Sequence, residues 1–324
     1  MRPLVSFVLP TRGRPAELAR TLAALGALPA ACAAEVVVAD NAGEPPALVP
    51  SALANGWPVR LIRRSTNEGA AARNACAHDA EGAWLVMLDD DSHPLDLGFV
   101  GAIRDAEPEI AAIAGEILLP SGLHEQGGLP EVLVGCGAAI RRDDFLACGG
   151  YDAAFGFYVE EYDLCARLIA AGRRIAFDPR LRVLHEKTGT NRDMDLVLER
   201  LVRNNGWTIA RHAPDGVRAA ALESCVERYR SIAAKEGALA GFARGLAELE
   251  ATLGAQRRTP LDDARWLRFT GESAARDGLA RARQVRSRAV RSRSWRPGRV
   301  STSSSASSSR PAAGSSTCKT RRPS

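Results

Sequence analysis

A chain of 324 residues with 46% hydrophobic content is long enough for one large α/β domain and a smaller accessory region. Its formal net charge of +5 suggests a basic protein, but the 12 Lys and Arg and no acid from Arg281 to Ser324 supply all of that excess. The first 280 residues hold 31 basic and 38 acidic groups, a balance of −7, which argues against nucleic acid as a partner.

Val5–Leu9 reads as a strand that ends at Pro10, which is not the pattern of a signal peptide. Leu18, Leu22 and Leu25 then share a helix face. The longest apolar stretch, Leu18–Ala34, carries Arg20, Thr21 and Pro29 and suits an amphipathic helix with its exit loop, not a membrane span. Glu35–Asp40 and Val59–Arg63 are strand-like, Gly69–Asp79 is helical, and Trp84–Leu88 is a strand that runs straight into three aspartates. Strands alternating with helices predict an α/β fold with a mostly parallel sheet flanked by helices. Further on, Ile110–Leu119 and Val132–Ile140 read as strands, Glu160–Ala171 as a helix stopped by Gly172, and Arg174–Phe177 and Leu181–His185 as short strands. Helical patterns follow Asp193, through Arg211 and then over Val217–Lys235, Leu239–Leu253 and Asp262–Arg283. These shifts divide the chain into an α/β domain at 1–192, a helical region at 193–285 and a Ser/Arg-rich tail at 286–324 whose composition predicts disorder. Cys32, Cys76, Cys136, Cys148, Cys165, Cys225 and Cys318 are odd in number and lack any CxxC spacing, so reduced thiols in the cytoplasm are expected. The Arg-rich tail leaves peripheral contact with an anionic membrane face open.

In such sheets ligands gather beyond the carboxyl ends of the strands. Pro10, Thr11 and Arg12, then Asp40, then Asp89, Asp90 and Asp91 all fall there. Three adjacent carboxylates repel one another, and a hard divalent cation relieves that repulsion; the competing reading is a solvated acidic turn. His185 closes another apolar run and offers an imidazole ligand, against the commoner structural role of a single histidine. Glu160, Glu161 and Asp163 open a helix, where acids favour the helix dipole, and like-charged neighbours also raise a carboxyl toward the range of a general base. Asn67 and Arg73 sit in a polar loop entering a helix, suited to phosphate or to simple capping.

In order along the chain, VLPTRGR, VVVADNA, STNEGAAARN, LDDDS, IRRDDFLACGGYD, FYVEEYDLCARLIAAG and RVLH resemble the family 2 glycosyltransferases, from about Val5 to His185. The resemblance implies the GT-A fold and inverting transfer from a nucleoside-diphosphate sugar, a UDP- or dTDP-sugar, to an acceptor hydroxyl on a glycan, a lipid-linked glycan or a small molecule. It implies Pro10, Thr11, Arg12, Asp40, Asn67, Arg73, Asp89 and Asp90 at the nucleotide. Asp91, Asp89 and His185 would hold Mn²⁺ or Mg²⁺. Glu161 matches the position of the usual base, where the family carries Asp, so the base lies open between Glu160 and Glu161, with Asp163 third. Two other readings are a nucleotidyltransferase, which lacks its Gly-rich triphosphate loop here, and a nucleotide-sugar-binding scaffold without catalysis.

Overall fold

The computed structural model describes residues 2–125, 128–187 and 193–272, which belong to one compact unit, Met1–Arg276. The expected tail at 286–324 and the last part of the helix expected to reach Arg283 lie outside the described residues.

Four strands form the parallel half of the sheet: β1 (Val5–Thr11), β2 (Ala34–Asn41), β3 (Val59–Arg64) and β4 (Trp84–Met87), side by side in the order β3-β2-β1-β4. The sheet continues through β8 (Ala138–Arg141), β6 (Ile110–Leu118), β9 (Arg174–His185) and β5 (Ser92–Pro94), with β7 (His124–Glu125) paired to β6. Here β8 runs antiparallel to β4 and β6, while β6 and β9 are parallel.

β1, β2 and β4 are buried on both faces, so they read as continuous apolar runs. Side chains alternate between two cores. Phe7, Leu9, Val36, Val38 and Val86 pack with Leu18, Leu22 and Leu25 of α1 (Pro15–Ala27) and with Phe99 of α3 (Gly98–Arg104). Val8, Val37, Leu85 and Met87 pack on the other face with Cys76 of α2 (Ala72–Asp79), Phe145 of α4 (Arg142–Ala147) and Leu164 and Leu168 of α5 (Glu160–Ala170). A third cluster lies among α6 (Met194–His212), α7 (Asp215–Glu236) and α8 (Leu239–Thr252), built on Leu198, Val202, Tyr229 and Phe242. Gly241 and Gly245 of α8 lie against the α6 backbone at Asp195 and Glu199, an approach that any Cβ would block. The last described helix, α9 (Asp263–Phe269), buries Trp266 and Phe269 against the α5 side of the core.

Two differences from the sequence reading have clear causes. Val132–Ile140 is a strand only over Ala138–Arg141; Val132 and Leu133 are buried in a turn segment closed by a Gly137 N–H to Val134 C=O bond of 3.1 Å, and a buried apolar run looks alike in either conformation. The two short runs at 174–185 are one 12-residue strand, irregular where it passes β6 near Ala114 and Glu116.

Candidate functional site

β1, β2 and β4 end together, with Thr11 in register with Asp40 and the three aspartates just beyond Met87. Asp90 points inward, 4% exposed. It accepts from Thr11 Oγ1 at 2.7 Å and from Arg14 Nη1 at 2.6 Å, and its carbonyl accepts from Thr21 at 2.8 Å. Burial pushes its carboxyl up to about 6, against the opposing pull of Thr11 and Arg14. Arg14 Nη2 donates to Asp91 Oδ2 at 2.7 Å, and Asp91 Oδ1 faces His185 Nε2 at 3.4 Å. Burial alone would raise the Asp91 carboxyl; the hydrogen bonds of His185 and Arg14 instead hold it at about 2. Arg14 was not among the residues singled out from sequence, although it stands two places after Arg12 in the same turn.

His185 reaches this edge because β5 pairs antiparallel with β9, placing Ser92 directly opposite it. Its Nδ1 lies 2.7 Å from Glu125 Oε2, and Lys187 Nζ donates to Glu125 Oε1 at 2.7 Å. Asp89 Oδ2 lies 3.9 Å from His185 Nε2. Burial alone would lower the imidazole, but its hydrogen bonds to Asp91, Cys136 and Glu125 push it up to about 12. The surrounding carboxylates favour positive charge beside the imidazole. Asp91 Oδ1 at 3.4 Å and Asp89 Oδ2 at 3.9 Å from Nε2 offer oxygen donors beside the imidazole, the kind that a hard divalent cation takes. Among the described residues, Asp89, Cys136 and His185 also converge within 4.8 Å. Burial pushes the Cys136 thiol up to about 11, and its Sγ contacts Nδ1, the ring nitrogen facing Glu125. A neutral thiol on that side is a poor ligand, so the residues fit a hard divalent cation held by oxygen and imidazole.

Asp40 is 4% exposed and its oxygens accept from Gly43 N, Ala47 N and Arg63 Nη1, each at 2.9 Å, fixing the loop after β2. Asn67 is exposed, and its Oδ1 accepts from Asn41 and Gly69 N, both at 3.0 Å. Pro10, Thr11, Arg12, Asn67, Asp89–Asp91 and His185 line one cavity of about 400 Å³. Arg73 does not line it. Its guanidinium is 3% exposed beneath Asp89, donating to that carboxylate and to the carbonyls of Leu88 at 3.0 Å and Gly135 at 3.4 Å, and its charge also faces Glu160 and Glu161.

A second cavity, about 430 Å³, is lined by Arg73, Asp89, Glu160, Glu161 and residues of α6. It shares Asp89 and Phe157 with the first. Glu161 Oε1 accepts from Gly135 N at 3.2 Å, while Glu160 Oε2 is buried without a hydrogen-bond partner among the described residues. Burial, then the neighbouring Glu161 charge, raises Glu160 well above the carboxylate range; burial raises Glu161 as well. Such a pair titrates as a unit.

Asp163, expected as a third candidate base, lines neither cavity. It is 1% exposed and bonded to Arg167 Nε at 2.8 Å, Arg211 Nη1 at 3.1 Å and His212 Nε2 at 2.9 Å. Burial would raise its carboxyl, but the His212 hydrogen bond and the Arg167 and Arg211 charges hold it below the usual range. It ties α5 to α6 and has no access to either cavity.

The turn before α5 is unusual, because Tyr158 and Val159 both have φ of 72°. A β-branched residue in that region is strained. Asn204 of α6, fully buried, holds the turn by donating to the carbonyls of Phe155 at 3.0 Å, Phe157 at 3.2 Å and Tyr158 at 2.6 Å. Sequence reasoning missed Asn204, since nothing local links residue 204 to residues 155–158.

Clustered acids at the strand ends of an α/β sheet, beside a cavity walled by two buried glutamates, are set in a fold similar to that of GT-A glycosyltransferases. Residues 6–100 match the model of glycosyl transferase family 2. It is 27% identical over 196 residues, 51% of its length, to an uncharacterized glycosyltransferase of Haemophilus influenzae, and spans 62% of that relative. The mannosyltransferase PcManGT from Pyrobaculum calidifontis, in complex with GDP-Man and Mn²⁺, shares the fold at 16% identity and a TM-score of 0.51, over 85% of this chain and 81% of that one. GalNAc-T7, with UDP, GalNAc and Mn²⁺, gives a TM-score of 0.52 at 16% identity, over 78% and 57%. No helix among the described residues is long and apolar enough to cross a membrane.

Proposed function

We propose that the chain transfers a glycosyl group from a nucleoside-diphosphate sugar to an acceptor hydroxyl, with inversion and with the aid of a divalent metal. The observation that carries this reading is the meeting of two cavities at Asp89, one rimmed by three aspartates and His185, the other walled by Glu160 and Glu161. Glycosyltransferases similar in sequence or fold, two of them with Mn²⁺, support it.

In this reading Thr11, Arg12 and Asn67 border the nucleotide, and Asp40 shapes that wall through the 43–47 loop. Asp89, Asp91 and His185 would hold the metal, which supplies neutralisation of charge on the departing diphosphate. Arg14 and Asp90 keep Asp91 oriented from behind. Across Asp89, the glutamate pair accepts the proton of the acceptor hydroxyl as it attacks; a carboxylate raised toward the working pH is the better base. Arg73 opposes that rise. A base in the cavity across Asp89 from the proposed donor site suits a single displacement, hence inversion. Six free cysteines among the described residues suit a reducing compartment, and we place the protein in the cytoplasm on that ground. Uridine and thymidine donors are the first to try.

Purified protein incubated with a panel of nucleotide sugars and Mn²⁺, Mg²⁺ or EDTA tests this. Metal-dependent release of nucleoside diphosphate from one donor, absent in Asp91→Ala, is expected. No release and no metal-dependent donor binding by calorimetry would overturn it.

A further inference from the structure

Beside the glutamate-walled cavity lies another of about 520 Å³, between α6, α7 and α9. The two share Tyr162, Asn205 and Tyr229 as common wall. The phenol groups of that wall are already engaged: Tyr162 accepts from Gly128 N at 3.1 Å, and Tyr229 accepts from Asn205 Nδ2 at 2.9 Å. The far chamber is apolar in character, with Ile209, Val217, Ala221, Trp266 and Phe269 lining it, and its volume is in the range of small-molecule sites. The first chamber is the opposite, with Arg73, Asp89 and both glutamates around it.

The geometry points to a two-part acceptor site: the hydroxyl-bearing end of the acceptor enters beside Glu160 and Glu161, and an apolar substituent on it passes the two tyrosines into the chamber at Trp266. This deepens the transferase reading and rests on it. The acceptor class is thus an amphipathic hydroxyl compound, such as a sugar or other polar head bearing an alkyl, prenyl or aryl group, in contrast to a wholly polar glycan. Arg228, at the chamber, places a cation beside the same path.

n-Alkyl β-D-glucosides from methyl to octyl serve as probes, titrated into the full chain by calorimetry. Burying each added methylene should tighten binding by about fourfold until the chamber fills. Ala221→Phe and, separately, Ser224→Phe, at positions lining the chamber, should flatten that dependence while leaving metal-dependent nucleoside-diphosphate binding unchanged. In the wild type, octyl glucoside should also alter Trp266 emission, a change lost in Trp266→Phe, which gives a readout if a filling variant does not fold. A wild type indifferent to chain length, as when another part of the chain already fills the chamber, would overturn the inference. So would a length dependence untouched in both variants. Length dependence without any metal-dependent nucleotide binding would sink the transferase reading and the acceptor role with it.

Discussion

Asn204 gives the sharpest test of how the catalytic edge is held. Its amide has two hydrogens, so of the three carbonyls it approaches, two at a time are fully bonded. Asn204→Ala removes the donor to the Phe157 and Tyr158 carbonyls, at a cost of about 1–2 kcal/mol each, or about 2–4 kcal/mol in all, whereas the Phe155 carbonyl keeps its bond from Arg203 Nη2. The Tyr158–Val159 turn, no longer held at positive φ, should relax toward ordinary backbone. Since Glu160 and Glu161 follow immediately, a displacement on the order of 1 Å there should lower kcat by about 10²-fold. Donor affinity should hardly change, because the nucleotide-side cavity takes only Phe157 from this loop. Urea unfolding reads the stability and steady-state kinetics reads the split. Asn204→Asp separates packing from donation: it keeps the volume, removes both N–H groups, and should be at least as damaging. Wild-type kcat in either variant, or a rise in donor KM as large as the fall in kcat, would refute this account of the turn.

Asp163→Asn removes one partner of a buried network and should cost about 3–5 kcal/mol of stability at neutral pH. Because the folded carboxyl is held below its unfolded value near 4, its contribution is present above that pH and is lost as pH falls; acid titration of stability should therefore be flatter in the variant. Glu161→Gln should lower kcat by about 10²–10⁴-fold, with Glu160→Gln alongside deciding how the pair divides the work; full activity in both would exclude it as the base. Glu125→Gln, which loosens the hydrogen bond orienting His185, should weaken Mn²⁺ binding by about 10–100-fold in calorimetry without altering the fold by circular dichroism.

How much of this was readable beforehand depended on distance along the chain. β1, β2 and β4 announce themselves because each is a local apolar run ending in polar residues, and the aspartates after β4 follow at once. The helical stretch 194–212 is equally legible from periodicity, yet one of its face residues, Leu196, is 39% exposed beside the glutamate-walled cavity. What local pattern could not supply is partnership. Ser92 meets His185 only through the β5–β9 register, Arg14 meets Asp90 and Asp91 only after the sheet forms, and Asp163 looked like Glu160 and Glu161 until His212 and Arg211 claimed it. A run of acids in sequence has no direction; α5 gives it one, turning Asp163 toward α6 and the two glutamates toward the cavity.

The glycine seam between α6 and α8 carries a practical consequence for dissecting the molecule. Helix α6 is clamped to α8 through Gly241 and Gly245, and the same helix supplies Asn204 to the turn before α5 and Arg211 and His212 to Asp163. A fragment cut after residue 192 would keep every acid of the donor side and yet lose the frame of the acceptor side. Swapping the helical region between relatives would, for the same reason, exchange the residues that hold the turn before α5 and Asp163.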